Sequence, residues 1–113
     1  QVAGLDAVGF LQDYAWSQRI AGLALGQLVA QDMVDPMRVA AIGFCFGGAM
    51  ALQLGRAGGN VQVAVSFHGE YPENNGQRLG AAWNVGYFAE VIGVDDPLIP
   101  AAARQKWVDE LQA

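Results

Sequence analysis

Arg38-Val39-Ala40-Ala41-Ile42-Gly43-Phe44-Cys45-Phe46-Gly47-Gly48-Ala49-Met50-Ala51-Leu52 changes physical character part-way along, and that change decides the fold. Arg38 to Gly43 is a short, nearly continuous apolar run, the pattern of a strand buried on both faces of a parallel sheet. Gly47 and Gly48 then hand over to Ala49 through Leu54, residues that favour helix. The stretch reads as strand, sharp turn and helix, with Cys45 at the turn and a glycine on each side of it.

Upstream, apolar residues from Leu11 and Tyr14 to Leu28 and Val29 recur at spacings of three and four, which predicts one long helix or two between Asp6 and Gln31. Asp35-Pro36 ends that pattern, because the proline ring disfavours helix at the residue before it. Downstream, Gly55, Gly58 and Gly59 are expected to close the second helix, and Val61 to Phe67 forms a β-branched strand with His68-Gly69 at its end. Glu70 to Gly80 is polar and reads as a loop, Tyr87 to Ile92 as a third, weaker strand, and Asp95-Asp96-Pro97 as its stop. Ala101 to Gln112 reads as a terminal helix with Ala102, Val108 and Leu111 inward and Arg104, Lys106, Asp109 and Glu110 outward. Strands alternating with helices imply a parallel sheet joined by crossovers. A sheet of about three strands leaves its edges open, so the chain is expected to form a homodimer or higher oligomer, or to belong to something larger.

Composition bounds the function. The 113 residues suit a single domain, and an apolar fraction of 53% against 15% charged excludes disorder. A net charge of −5 with no basic cluster removes the footprint that a nucleic acid requires. Val39 to Leu52, the most membrane-like run, falls short of the ~20 residues a spanning helix needs, so no membrane partner is expected. A single cysteine cannot form an internal disulfide, which favours a reducing, cytoplasmic setting. The chain opens with Gln1 and shows no leader pattern, so its natural start is expected upstream.

Cys45 is the residue with chemistry to offer. A thiol at this turn faces the positive end of the following helix, which favours the thiolate, and the amide of Phe46 points to where an oxyanion would develop. Lone cysteines are commonly buried small hydrophobes, but Gly43, Gly47 and Gly48 around this one supply the close approach that a strained turn demands. A dinucleotide-binding loop is the rival reading, since Glu70 follows the glycine-rich turn at a suitable distance. Cys45 stands against it, because its side chain would fill the space a pyrophosphate needs.

These residues resemble the dienelactone hydrolase family of the α/β-hydrolases. Val34 to Leu52 is similar to the family's central segment, and Ser66-Phe67-His68-Gly69 and Gly93-Val94-Asp95-Asp96-Pro97-Leu98-Ile99-Pro100 are similar to two later motifs in the same order. The resemblance spans roughly residues 20–113. It implies a partial α/β-hydrolase fold, a three-layer sandwich whose narrow, mainly parallel sheet is flanked by helices. It also implies a carboxylic ester or lactone hydrolase working through a Cys-His-Asp triad, without metal or cofactor, on a small-molecule substrate. Cys45 matches the nucleophile and Asp96 the acid, although Asp before Pro is also a common helix start. Phe44 and His68 are placed near the pocket. The triad histidine should follow Asp96, whereas His68 is the chain's one histidine and precedes it. The alternative is a catalytically incomplete, self-associating remnant of such a hydrolase.

Overall fold

The computed structural model describes residues 13–71 and 87–112, so the expected helical turns before residue 13 and most of the 70–80 loop lie outside the described residues. Helix α1 (Tyr14–Val29) is capped by Asp13, whose carboxylate accepts the Trp16 N–H at 3.0 Å. Past the helix, Asp35 turns the chain by accepting the Met37 N–H at 2.9 Å, an Asx turn that explains why the pattern breaks at Asp35-Pro36.

Strand β1 (Ala40–Phe44) follows, then α2 (Phe46–Arg56), β2 (Val63–Phe67), β3 (Tyr87–Val91) and α3 (Ala101–Gln112). All three strands are parallel in the order β1-β2-β3. Gln62 sets where the ladder begins. Its side-chain carbonyl accepts the Val39 N–H at 2.6 Å and its backbone N–H donates to Val39 O at 2.8 Å. Helix α2 is longer than the glycines suggested: Gly55 lies inside it, and the stop comes at Ala57-Gly58, where Gly58 takes φ 78° and donates to Gly55 O.

Register fixes the two faces. Ala41, Ala64 and Phe88 lie side by side, as do Gly43, Ser66 and Glu90, and α2 packs over this face. Val39, Leu54, Val61 and Ala64 form the core cluster, with Ala21, Leu25 and Val29 of α1 closing its side. Burying such aliphatic side chains contributes about 1.5–3 kcal/mol each, and these few residues hold the helical layer to the sheet. The opposite face carries Ile42, Phe44, Tyr87 and Val91, all more than half exposed, and no helix covers it among the described residues. The described part of the sandwich is therefore the sheet and one helical layer, the partial α/β-hydrolase fold expected.

Helix α3 departs from its predicted phase. Trp107 is its buried residue, set edge-on to Phe88 at 5.8 Å, while Ala102 and Val108 are exposed. Large aromatic area outweighs two small aliphatics in choosing the buried face. Glu110 consequently turns inward to pair with Arg56 at 2.6 Å, and the Arg56 guanidinium lies 5.2 Å from the Trp107 ring centre. Among the described residues no helix is long and apolar enough to cross a membrane.

The Arg56 side chain is 2% exposed, so removing it strands Glu110 in a nearly dry site. Urea unfolding is expected to show Arg56→Met destabilised by about 3 kcal/mol or more, with Glu110→Leu added to the same chain recovering most of the loss.

Candidate functional site

Cys45 lies between β1 and α2 and is pinned from both sides. Its N–H donates to Phe67 O at 2.9 Å, extending the strand ladder, and its C=O accepts from Ala49 N at 3.1 Å, opening the helix. Satisfying both forces φ 53°, ψ −121°, a conformation that costs a non-glycine residue about 1–3 kcal/mol. The thiol makes no capping hydrogen bond and is exposed, so it is not a packing residue. Phe46, Gly47 and Gly48 form the first turn of α2, whose N–H groups have no acceptor within the helix.

The glycines around the turn play unequal parts. A Cβ at Gly43 would run into the Gly47 carbonyl, and one at Gly48 would come within 2.5 Å of Ser66 Oγ. A Cβ at Gly47 would meet nothing within 4 Å. The expectation that both neighbours two places from Cys45 must be small therefore holds for Gly43 and not for Gly47. The crowding is asymmetric because α2 leaves the strand end over Gly43 and aims the Gly47 substituent outward.

His68 ends β2 next to the Cys45 turn, since Phe44 and Phe67 are register partners. It too has a positive φ, 45°, and its N–H donates to Val91 O at 2.8 Å. Cys45, His68 and the turn after β3 thus share the carboxyl-terminal edge of the sheet, where open parallel sheets bind ligands.

Asp96 sits in that turn, half-buried, and accepts the Leu98 N–H on Oδ1 at 2.9 Å. Helix α3 starts only at Ala101, so Asp96 forms an Asx turn and is not the helix cap. Asp95 is exposed. Arg104 ties the turn down from α3, donating to Gly93 O at 3.1 Å and Val94 O at 3.2 Å. Sequence periodicity had placed Arg104 outward.

Phe44 points to the open face, stacked on Phe67 with ring centres 4.5 Å apart. A cavity of about 120 Å³ is lined by Tyr71, Ile99, Trp107 and neighbours, and neither Phe44, His68, Cys45 nor Asp96 reaches it. Among the described residues no three of His, Cys, Asp and Glu gather as metal ligands.

Glu90 is the residue that the sequence reading missed. It follows Phe88 by two in β3 and so points to the helix-covered face, where both carboxylate oxygens are buried without a hydrogen-bond partner of normal geometry. Burial pushes its carboxyl up to about 7, and the Ser66 hydroxyl acts weakly the other way. Tyr71 is pushed up to about 12 by burial and then by Glu90, with Arg104 opposing. The available signal was an acid in phase with Phe88 in an otherwise apolar strand.

The profile of the Dienelactone hydrolase family matches residues 14–113. The chain belongs to the dienelactone hydrolase family. A crystal structure of a dienelactone hydrolase-like promiscuous phosphotriesterase from metagenomic libraries is similar over 92% of this chain, with 38% identity and a TM-score of 0.76. The chain spans 43% of that protein's length. No curated protein matches the chain. Family membership leaves the dinucleotide reading without support.

The glycine asymmetry is directly measurable. Gly43→Ala is expected to lose several kcal/mol in urea unfolding or to fail to fold, since backbone must move, whereas Gly47→Ala should stay within about 1 kcal/mol of the parent.

Proposed function

We propose that this chain carries the nucleophile and acid of a carboxylic ester or lactone hydrolase, with Cys45 at a nucleophile elbow. The observation that carries the reading is an exposed thiol held at positive φ on a strand-to-helix turn in a chain of this family. In the proposed reaction the Cys45 thiolate attacks the acyl carbon and the carbonyl electrons move to oxygen. The Phe46 N–H, which has no acceptor within the helix, donates to that oxyanion. The alkoxide then departs, taking a proton to leave as the alcohol, and a thioester remains on Cys45. Water attacks the thioester, releasing the carboxylic acid and restoring the thiol. Asp96 has the role of orienting a histidine that relays these protons, its Oδ1 steadied by Leu98 and its turn by Arg104. His68 and Phe44 flank the substrate. No metal or cofactor enters this scheme, and the setting is proposed to be cytoplasmic.

No histidine lies between Asp96 and Ala113, so residues 1–113 taken alone are expected to deacylate without a base that commonly contributes ~10²–10⁴-fold. With p-nitrophenyl acetate the chain should release one equivalent of p-nitrophenolate in a burst and then stall, and Cys45→Ala should show no burst. Equal bursts from both would defeat the reading. The phosphotriesterase relative makes phosphotriesters a second substrate class for the same assay.

A self-associating role is the second reading, favoured by the face of Ile42, Phe44, Tyr87 and Val91 and by the outer edge of β1, both without a covering element among the described residues. Sedimentation equilibrium at micromolar concentration should then give dimers or larger species, which a charged Phe44→Glu variant dissociates. A parent chain that sediments as a monomer contradicts it.

A further inference from the structure

Ser66 is fully buried at the meeting point of two turns. Substituent positions on Gly48, in the first turn of α2, and on Gly69, after β2, both come within 2.5 Å of its hydroxyl oxygen. Ser66 Oγ also accepts the Gly69 N–H at 3.2 Å. The hydroxyl is thus a wedge on which the Cys45 turn rests from one side and the His68-Gly69 turn from the other. With one of its two acceptor lone pairs used on Gly69, it still has a proton to donate. Its register partner on β3 is Glu90, on the same face of adjacent strands about 4.8 Å apart, with both carboxylate oxygens shut off from water.

The two ionisation states of Glu90 make different demands on that hydroxyl. An ionised carboxylate only accepts, so the Ser66 proton turns towards it and Oγ stays free for Gly69. A protonated carboxyl donates as well, so Oγ must then accept a second hydrogen bond beside the one from Gly69, which shifts the hydroxyl and loosens the Gly69 contact. We infer that Glu90 is a positioning residue for the proposed hydrolytic site, setting through Ser66 how firmly the Cys45 and His68 turns are held and doing so differently in its two protonation states. The inference rests on the hydrolase reading for its functional meaning, while its physical content concerns Ser66 and the two turns alone.

Among the described residues the groups facing Glu90 are few. Tyr71, beyond the end of β2, interacts with it electrostatically and ionises far above neutrality, and Arg104, on α3, acts on Tyr71 in turn. The Arg56 cation on α2 is held by Glu110 of α3. His68 lies on the turn itself, so it needs its own control. The stability consequence has a definite sign. Because the folded-state value of about 7 exceeds the ordinary 4.5, stability due to Glu90 is present below about 4.5 and is lost as pH rises through about 7. A neutral glutamine removes that loss.

The test compares the parent, Glu90→Gln, Ser66→Ala and His68→Asn in the full chain between pH 5 and pH 9. The Gly69 amide resonance in two-dimensional nitrogen-proton spectra is followed alongside the rate of Cys45 alkylation by iodoacetamide, corrected for thiolate fraction. In the parent, the Gly69 amide should titrate near pH 7 and the alkylation rate should step by about twofold or more over the same range. Both features should vanish in Glu90→Gln and in Ser66→Ala and persist in His68→Asn. The Glu90→Gln chain should also gain in thermal midpoint relative to the parent above pH 7, with a smaller difference at pH 5. Persistence of the titration in Glu90→Gln, or of the alkylation step in Ser66→Ala, overturns the inference. These readouts need no turnover, so an absent ester burst would defeat the hydrolase reading while leaving this result to stand or fall by itself.

Discussion

The close approach of Gly43 to the Gly47 carbonyl is the contact on which the rest of this structure depends. Only a residue without Cβ lets the backbone of α2 pass so near the end of β1, and only that passage allows a single residue to bond both the sheet and the helix. Cys45 is that residue. Its N–H belongs to the β1–β2 ladder and its C=O to α2, and the positive φ follows from serving both. Strain of this kind persists where surrounding structure overdetermines it, and here the ladder and the helix do so from opposite sides.

From that contact the site assembles outward. The parallel register brings His68 beside Cys45, and the hydrogen bond from His68 N to Val91 O passes the same edge on to β3. Beyond β3, Arg104 and the Asx turn fix the place of Asp96 from the side of α3, whose own position is set by Trp107 and the Arg56–Glu110 pair. The helix-covered face thus carries polar groups at chosen points. The opposite face is apolar and has no covering helix among the described residues.

Much of this was legible in the sequence because it lives in short-range patterns. The apolar run before Gly43, the helix formers after Gly48 and the Asp35-Pro36 break each carry a local physical meaning, and the strands and helices lie where those signals put them. What was not legible depends on tertiary direction. Gly47 looked as constrained as Gly43 because spacing does not reveal which way a substituent would point. Arg104 and Glu110 read as solvated charges, yet Trp107 rotates α3 and turns both inward. Gly55 looked like a helix stop but is carried inside α2 by packing against the core. Glu90 needed the strand register, since its significance comes from Ser66 on the neighbouring strand.

We propose that the Cys45 sulfur is the atom that takes the acyl group. It is tested most directly by exposing the chain briefly to p-nitrophenyl acetate, quenching in acid and locating the added mass by peptide mass spectrometry. One acetyl group on the peptide containing Cys45, retained on the sulfur and removed by hydroxylamine, is the predicted result. An acetyl group found elsewhere in equal yield, or a Cys45 thiol that stays unmodified while p-nitrophenolate is released, would contradict it.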